Sequence, residues 1–550
     1  MSRRPRRSAS ALEYLYVAAL VALALVGFLA GAPRLPDSSS WAGPFPVVAW
    51  EDGAKPPEVP VNSSLDIEVL SDAPRGDPND PVSTARFTNE ATGERYAVEA
   101  FYVGGRAGRS VYRFRFTPRA PGRWTFETTS SVPGLDGLSG AVTATGSDLE
   151  GPMTARDGRF AVATGAGEPQ PTTYNVYGAG GRFLTGLGDV PRDVAGMRSA
   201  LEPVLEEVRS AGFDALHVAV NNEWLALGRP RWDRHAAVQP DPATFQLLET
   251  LLVMAHERGL FVHFWMWGDE ARRFTPLGLR SDPLIPGDPG GPTGAAFERV
   301  VRYIAARLGP IPNWTMSYGF DLHEWADEGP VRAWAARLSE LLPMPHLLTA
   351  TEEGREPRAF DLGASKLPIV SRDRDPYERD QAPFGLALQY VAEGGGRPLL
   401  FESRYLIQDG GPWDAAGLAE GMWGYAMAGG VGAIYDRPEG SQLPEDAVTV
   451  LRTFRDFWRG RVPSGTAWSS ERETGELALV SEVGDSGVLF ARDTDVVDLS
   501  AVPTGSPAVA VDVMAPYSEV AVDTQAPTWR APHASDWAVA FGAAADRYAR

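Results

Sequence analysis

The sequence predicts a multidomain chain: a (β/α)8 TIM barrel flanked by an N-terminal β-sandwich and a small C-terminal β-sandwich, with an N-terminal transmembrane or signal segment. Three patterns lead there. An apolar stretch behind a cluster of arginines falls within residues 1–40. Residues 41–165 and 464–545 alternate apolar and polar positions between turn residues, the period of half-buried strands. Residues 175–460 instead alternate short apolar runs with helix-length amphipathic segments, the signature of repeated strand–helix units.

Composition bounds the class. Acidic residues (71) outnumber Lys and Arg (51), giving a net charge of −20, which argues against a nucleic-acid partner. Apolar residues make up 44%, enough for a globular core. There is no cysteine, which removes disulfides, thiol catalysis and cysteine-based zinc sites together. None of the seven histidines forms an H-E-x-x-H pair, and no cofactor or metal is expected. His263, His323 and Asp269 come nearest to a ligand set and would carry a metal-dependent hydrolase.

At the N-terminus, Arg3, Arg4, Arg6 and Arg7 precede a charge-free stretch from Tyr14 to Pro33. Its 20 residues exceed a signal-peptide core and match a membrane span. An uncleaved anchor is therefore expected, with the membrane as partner and the remaining chain outside the cytoplasm. Ala30-Gly31-Ala32 offers a cleavage pattern and hence a secreted alternative, but Pro33 follows it.

In the 41–165 module, Tyr112, Phe114 and Phe116 alternate with Arg113, Arg115 and Thr117, and Trp124 and Phe126 with Arg123, Thr125 and Glu127. The barrel's eight apolar runs are Phe183–Leu187, Phe213–Val220, Leu260–Trp267, Trp314–Phe320, His346–Ala350, Leu367–Ser371, Pro398–Phe401 and Val431–Tyr435. Helix-length segments lie between them, among them Ala243–Arg258, Ala295–Leu308, Val331–Leu342 and Ala415–Ala428. Asp241 is placed as a helix N-cap and Gly259 as a stop. No glycine-rich phosphate turn follows the first run, so an open doubly wound sheet is the weaker topology. In the tail, Leu477–Val480, Gly487–Ala491, Ala508–Val513 and Trp537–Phe541 read as strands. The sequon at Asn313 falls on an expected buried strand and is discounted.

Chemistry in such a barrel gathers at the C-terminal strand ends. The fourth run leads into Asp321-Leu-His-Glu-Trp325 and the seventh into Glu402-Ser-Arg-Tyr405. Two glutamates behind buried strands suit glycoside hydrolysis, where one carboxylic acid protonates the leaving oxygen and one carboxylate attacks or activates water. A structural ion pair, with Arg404 near Glu402, explains them equally well on spacing alone. Aromatic residues at strand ends, chiefly Trp267 and Trp325 and less so Trp224, Trp265, Tyr318 and Trp413, are candidate sugar platforms or plain core. Strand alternation puts His263, Trp265 and Trp267 on one face. Asp189, Asp269 and Glu270 can bind hydroxyls or sit at helix starts.

Several of these tracts resemble a known family. Residues Tyr303 to Trp325, Phe261 to Glu270, Arg397 to Tyr405 and Trp423 to Tyr435 are similar to apiosidase-like glycoside hydrolases of the clan A (β/α)8 type. Tyr112 to Pro118 with Gly122-Arg-Trp124 resembles the β-module fused before such barrels. The region around Asp536-Trp537 resembles a small collagen-binding-like β-domain. The resemblance implies Glu324 as acid/base and Glu402 as nucleophile in a retaining mechanism on an extracellular poly- or oligosaccharide. Trp267, Asp269, Glu270, His323, Trp325, Arg404, Tyr405 and Asp189 would bind the substrate. One departure stands out: His323 occupies the place where the clan has Asn. That departure supports the competing class, a non-catalytic carbohydrate-binding or adhesion protein on a decayed barrel.

Overall fold

The computed structural model describes residues 43–72, 77–179, 183–187, 193–225, 239–268, 276–282, 285–319, 322–353, 370–373, 382–401, 404–406, 414–430, 434–436, 442–462, 467–472 and 475–546. The expected membrane segment, residues 1–40, lies outside them. Among the described residues, no helix is long and apolar enough to cross a membrane.

Nine strands open the described residues: Val47–Ala49 (β1), Glu58–Pro60 (β2), Leu65–Ser71 (β3), Ser83–Asn89 (β4), Arg95–Glu99 (β5), Phe101–Arg106 (β6), Arg109–Phe116 (β7), Gly122–Ser130 (β8) and Ser139–Thr145 (β9). They form two sheets, ordered β1-β3-β7-β6 and β2-β9-β8-β4-β5. Tyr112, Phe114 and Phe116 of β7 meet Phe87, Trp124 and Phe126 of the facing sheet in one apolar core, with Phe87 and Phe116 stacked at 4.1 Å. The other face of β7, carrying Arg113 and Arg115, is buried as well.

Glu150–Arg156 (β10), Arg159–Thr164 (β11) and Gln170–Pro171 (β12) make a separate antiparallel sheet. A run of parallel strands follows: Val176–Gly178 (β13), Ala215–Ala219 (β14), Phe261–Trp267 (β15), Trp314–Gly319 (β16), Leu348–Thr349 (β17), Thr351–Glu353 (β18), Val370–Asp373 (β19), Leu399–Phe401 (β20), Arg404–Leu406 (β21) and Ile434–Asp436 (β22). One sheet is ordered β17-β16-β15-β14-β13-β22-β21 and the other β18-β19-β20. Only Ala350 separates β17 from β18, and β21 begins three residues after β20 ends. β13 pairs with both β14 and β22, so the first and last of these strands are neighbours. Strands β14, β15 and β16 are buried along their whole length, as parallel strands covered on both faces are.

The helices are Phe183–Gly186 (α1), Val194–Ala211 (α2), Pro242–His256 (α3), Ala295–Arg307 (α4), Glu328–Leu341 (α5), Pro383–Glu393 (α6), Ala415–Met427 (α7) and Glu445–Trp458 (α8). Asp241 does cap α3, its carboxylate accepting from Thr244 N at 3.1 Å, and Gly259 turns the chain back to β15 with φ +66°. One sequence expectation fails. The first apolar run, Phe183–Leu187, is not a strand: Phe183–Gly186 is helical, and the strand lies upstream at Val176–Gly178. A five-residue run with three apolar side chains fits either period, and burial of Phe183 and Leu184 is satisfied from a helical turn.

An interior cluster joins Val176 of β13, Ala215 of β14, Phe261 and Trp265 of β15, Leu347 just ahead of β17 and Leu400 of β20 to Met153, Phe160 and Val162 of the β10–β11 hairpin. The hairpin therefore stoppers the N-terminal end of the parallel strands.

Six antiparallel strands end the chain: Ala467–Glu471 (β23), Leu477–Ser481 (β24), Gly487–Asp498 (β25), Ala508–Asp512 (β26), Glu519–Ala521 (β27) and Thr528–Phe541 (β28), ordered β23-β24-β25-β28-β26-β27. Trp423 of α7 stacks on Phe490 of β25 at 5.2 Å, so this sheet shares a core with the helices.

Candidate functional site

The parallel strands bury a set of polar side chains along their length. His217, His263, Thr315, Ser317, Thr349 and Thr351 are all buried. His263 Nδ1 lies 2.7 Å from Thr315 Oγ1, and Ser317 Oγ lies 3.0 Å from Thr351 Oγ1. The His217 ring meets Trp265 edge-on at 3.9 Å. Polar groups buried among parallel strands cost free energy unless they are paired, as His263 is with Thr315 and Ser317 with Thr351.

Glu324 ends the short 3-10 turn Leu322–Glu324 that follows β16, and its residue is exposed. The turn lies against β18. It is closed by Ala326 N donating to Leu322 O at 2.8 Å. Trp325 is half-buried and lies parallel to Tyr318, ring centroids 6.0 Å apart at 21°. Tyr318 in turn packs edge-on against Trp334 of α5, and burial pushes its hydroxyl well above the usual tyrosine range. Gly319 makes this approach possible. A methyl group there would fall 2.5 Å from Trp267 O and 3.0 Å from Trp325 Cζ2. Trp267 and Trp325 thus come together at Gly319, directly ahead of Glu324.

Trp267 departs from the alternation. Trp265 joins the interior cluster, whereas Trp267 packs outward on Phe297 of α4, centroids 6.2 Å apart. It has no exposed surface and thus no face free for a sugar ring. Its indole N–H finds no acceptor among the described residues. Trp224, Trp265 and Tyr318 are likewise buried. His323 belongs to the 3-10 turn, and Arg404 and Tyr405 lie on β21, with Tyr405 in register with Tyr435. Asp189, Asp269, Glu270, Glu402 and Trp413 lie outside the described residues. Asn313 is buried and donates to Leu252 O and Leu260 O at 2.9 and 3.0 Å, consistent with discounting its sequon.

Asn221 is a residue that the sequence reading missed. It follows β14 with φ +53°, a left-handed conformation that Asn tolerates better than most side chains. Its Oδ1 is buried without a hydrogen-bond partner among the described residues. A methyl on Gly268, just after β15, would fall 2.5 Å from that oxygen. The available signal was a polar Asn-Asn pair ending the second apolar run.

Comparisons with known proteins fit this arrangement. A family model described as a domain of unknown function, DUF5060, matches residues 60–131, within the first sandwich. No curated protein matches. Among solved structures, the chain resembles a proposed glycoside hydrolase from Bacteroides vulgatus at 15% identity and TM-score 0.63, covering 88% of this chain and 99% of the other. A family 5 glycoside hydrolase from the same organism gives 12% identity and TM-score 0.52, over 72% of this chain and 94% of that one. A further glycoside hydrolase gives 12% and 0.52, over 72% and 98%. The protein is multidomain and sheet-rich with a glycoside-hydrolase-like fold.

Proposed function

We propose that the ring of parallel strands is a (β/α)8 barrel and that the protein is a glycoside hydrolase of the apiosidase-like, clan A type, acting on an extracellular poly- or oligosaccharide by a retaining route. Glu324 is the acid/base and Glu402 the nucleophile. The observation that carries this reading is topological. Glu324 closes the turn after β16, and Glu402 is the residue next after β20, so both follow the C-terminal ends of parallel strands. On β20, Leu400 joins the interior cluster while Phe401 stacks outward on Tyr425 at 3.8 Å. A retaining pair needs carboxyls about 5–5.5 Å apart.

The remaining roles follow from position. Trp325 keeps part of its surface open beside Glu324 and serves as a sugar platform. His323 or Asn221 supplies the hydroxyl contact that an Asn makes elsewhere in the clan. Asp189, Asp269, Glu270, Arg404 and Tyr405 bind the substrate. The Tyr14–Pro33 stretch anchors the chain with its folded part outside the cytoplasm.

The test is hydrolysis of a panel of aryl glycosides and polysaccharides by the full chain. Glu402→Gln and Glu324→Gln are each expected to lower kcat by at least roughly a thousandfold with the fold intact. Full activity in Glu402→Gln would remove the nucleophile. Saccharide binding with no turnover in the unaltered protein would favour the adhesion reading, for which His323 is the supporting residue.

A further inference from the structure

Among the deeply buried arginines, Arg159 stands apart. Arg113 pairs with Glu68, Arg115 with Asp66 and Glu249, Arg299 with Asp282, Arg307 with Glu249, and Arg461 with Glu519. Arg159 is 8% exposed, yet no described carboxylate or carbonyl accepts from its guanidinium. Burial alone brings it down to about 10, so it remains a cation at neutral pH. A buried charge with no counter-ion among the described residues is costly.

Local sequence puts it there. Asp157-Gly158, with φ +52° and +74°, is a two-residue hairpin turn in which Arg156 pairs with Arg159. The turn seats Gly158 on the loop after α6, where a methyl would fall 3.3 Å from Gly396 O. Arg159 then lines a cleft of about 320 Å³, shared with the C-terminal ends of α6 and α7 and with Trp468 on β23. That volume is within the roughly 300–1,000 Å³ range of small-ligand sites. Trp468 is 47% exposed, on the edge strand of its sheet. The acid in the lining, Asp157, faces Arg156 at 3.9 Å. The C-terminal end of α7 approaches Arg159 at Gly429. Its partial negative charge, about half a unit, leaves most of the cation unbalanced.

We propose that this cleft binds a sugar ring carrying an oxyanion, with Arg159 pairing the oxyanion and Trp468 stacking on the ring. The site lies at the stoppered, N-terminal end of the parallel strands, opposite Glu324, so it is a remote subsite. Its sugar half rests on the carbohydrate reading above; its oxyanion half does not.

Calorimetric titration of the full chain tests it, with a uronate oligosaccharide, a sulfated oligosaccharide, their neutral counterpart and inorganic sulfate as probes. One of the acidic saccharides is expected to bind at least roughly tenfold tighter than the neutral one, and which of the two does so identifies the oxyanion. Arg159→Met and Trp468→Ala should each weaken that binding by roughly tenfold. Trp468 is exposed, so its variant keeps the test valid should Arg159→Met fail to fold. Equal binding of acidic and neutral sugars, or unchanged binding in Trp468→Ala, overturns the proposal, as does inorganic sulfate binding as tightly as either saccharide. The readout is independent of turnover: absence of hydrolysis would count against the enzyme reading and leave this measurement standing.

Discussion

His346 illustrates how one buried residue ties stability to pH. Its ring stacks flat on Trp314 at 3.8 Å, with Nδ1 3.1 Å from Trp314 O and Nε2 2.7 Å from Gly309 O. A neutral imidazole has one N–H and can donate to one of those carbonyls. Burial outweighs the pull of both carbonyls toward the charged form and holds the group down to about 4. Between pH 6.5 and 4 the unfolded chain takes up a proton that the folded chain refuses. Stability therefore falls as the pH drops through that window, by roughly 3 kcal/mol in all. Above 6.5 both states are neutral and the contribution is flat. Urea unfolding at several pH values should show the wild type losing that margin relative to His346→Gln; a pH-independent difference would refute it. At this scale the sequence was partly legible. The Glu324 turn was visible because an apolar run stops at Asp321-Leu-His-Glu. The outward turn of Trp267 was not, since alternation holds only while the strand continues and Trp267 is its last residue.

Elements were easier to read where their period was long. Helices α3, α4, α5 and α7 fall within one to three residues of the expected segments at each end, because amphipathic repeats and an Asp cap leave few alternatives. Short apolar runs were ambiguous, as Phe183–Leu187 shows. Strands β10 and β11 fall within the 41–165 segment read as the sandwich module, because alternation reports a strand and not its partner. Its energetic role is clear from Phe160, which is fully buried and meets Tyr174 edge-on at 5.2 Å. Phe160→Ala would leave a void where the hairpin closes the strand interior. The expected loss is about 3–5 kcal/mol in chemical denaturation. A loss under about 1 kcal/mol would mean that the strand ends close without their stopper.

Across the whole molecule, what the alternation left open was the fate of the charged face of β7. Arg115 donates to Asp66 within the sandwich at 2.7 and 2.9 Å, and to Glu249 of α3 at 2.7 Å. Arg307 of α4 grips the same Glu249 at 2.6 and 2.7 Å. Phe45 and Phe101 lie over the Arg115 guanidinium at 4.1 and 5.1 Å. Burial alone would raise the Glu249 carboxyl, but the two guanidiniums outweigh it and hold it below the usual carboxylate range. Flanking contacts extend the seam: Arg302 to Glu99 at 3.0 Å and Tyr303 OH to Tyr102 O at 2.8 Å. The sandwich is thus locked onto the helices that surround the parallel strands, and their relative position is set by a charged cluster that is individually unfavourable to bury. Replacing such a cluster wholesale with apolar residues can be neutral, but removing one member is not. Glu249→Gln keeps the shape and the exclusion of solvent but takes from Arg307 the carboxylate it grips and leaves Arg115 with Asp66. The expected cost is about 3–5 kcal/mol. Because the loss falls on the seam, unfolding should split, the sandwich and the parallel-strand unit melting apart where the unaltered protein melts once. Scanning calorimetry with separate near-ultraviolet signals for the two units checks this. A single transition shifted by only a degree or two would show that the units are held by their apolar contacts instead.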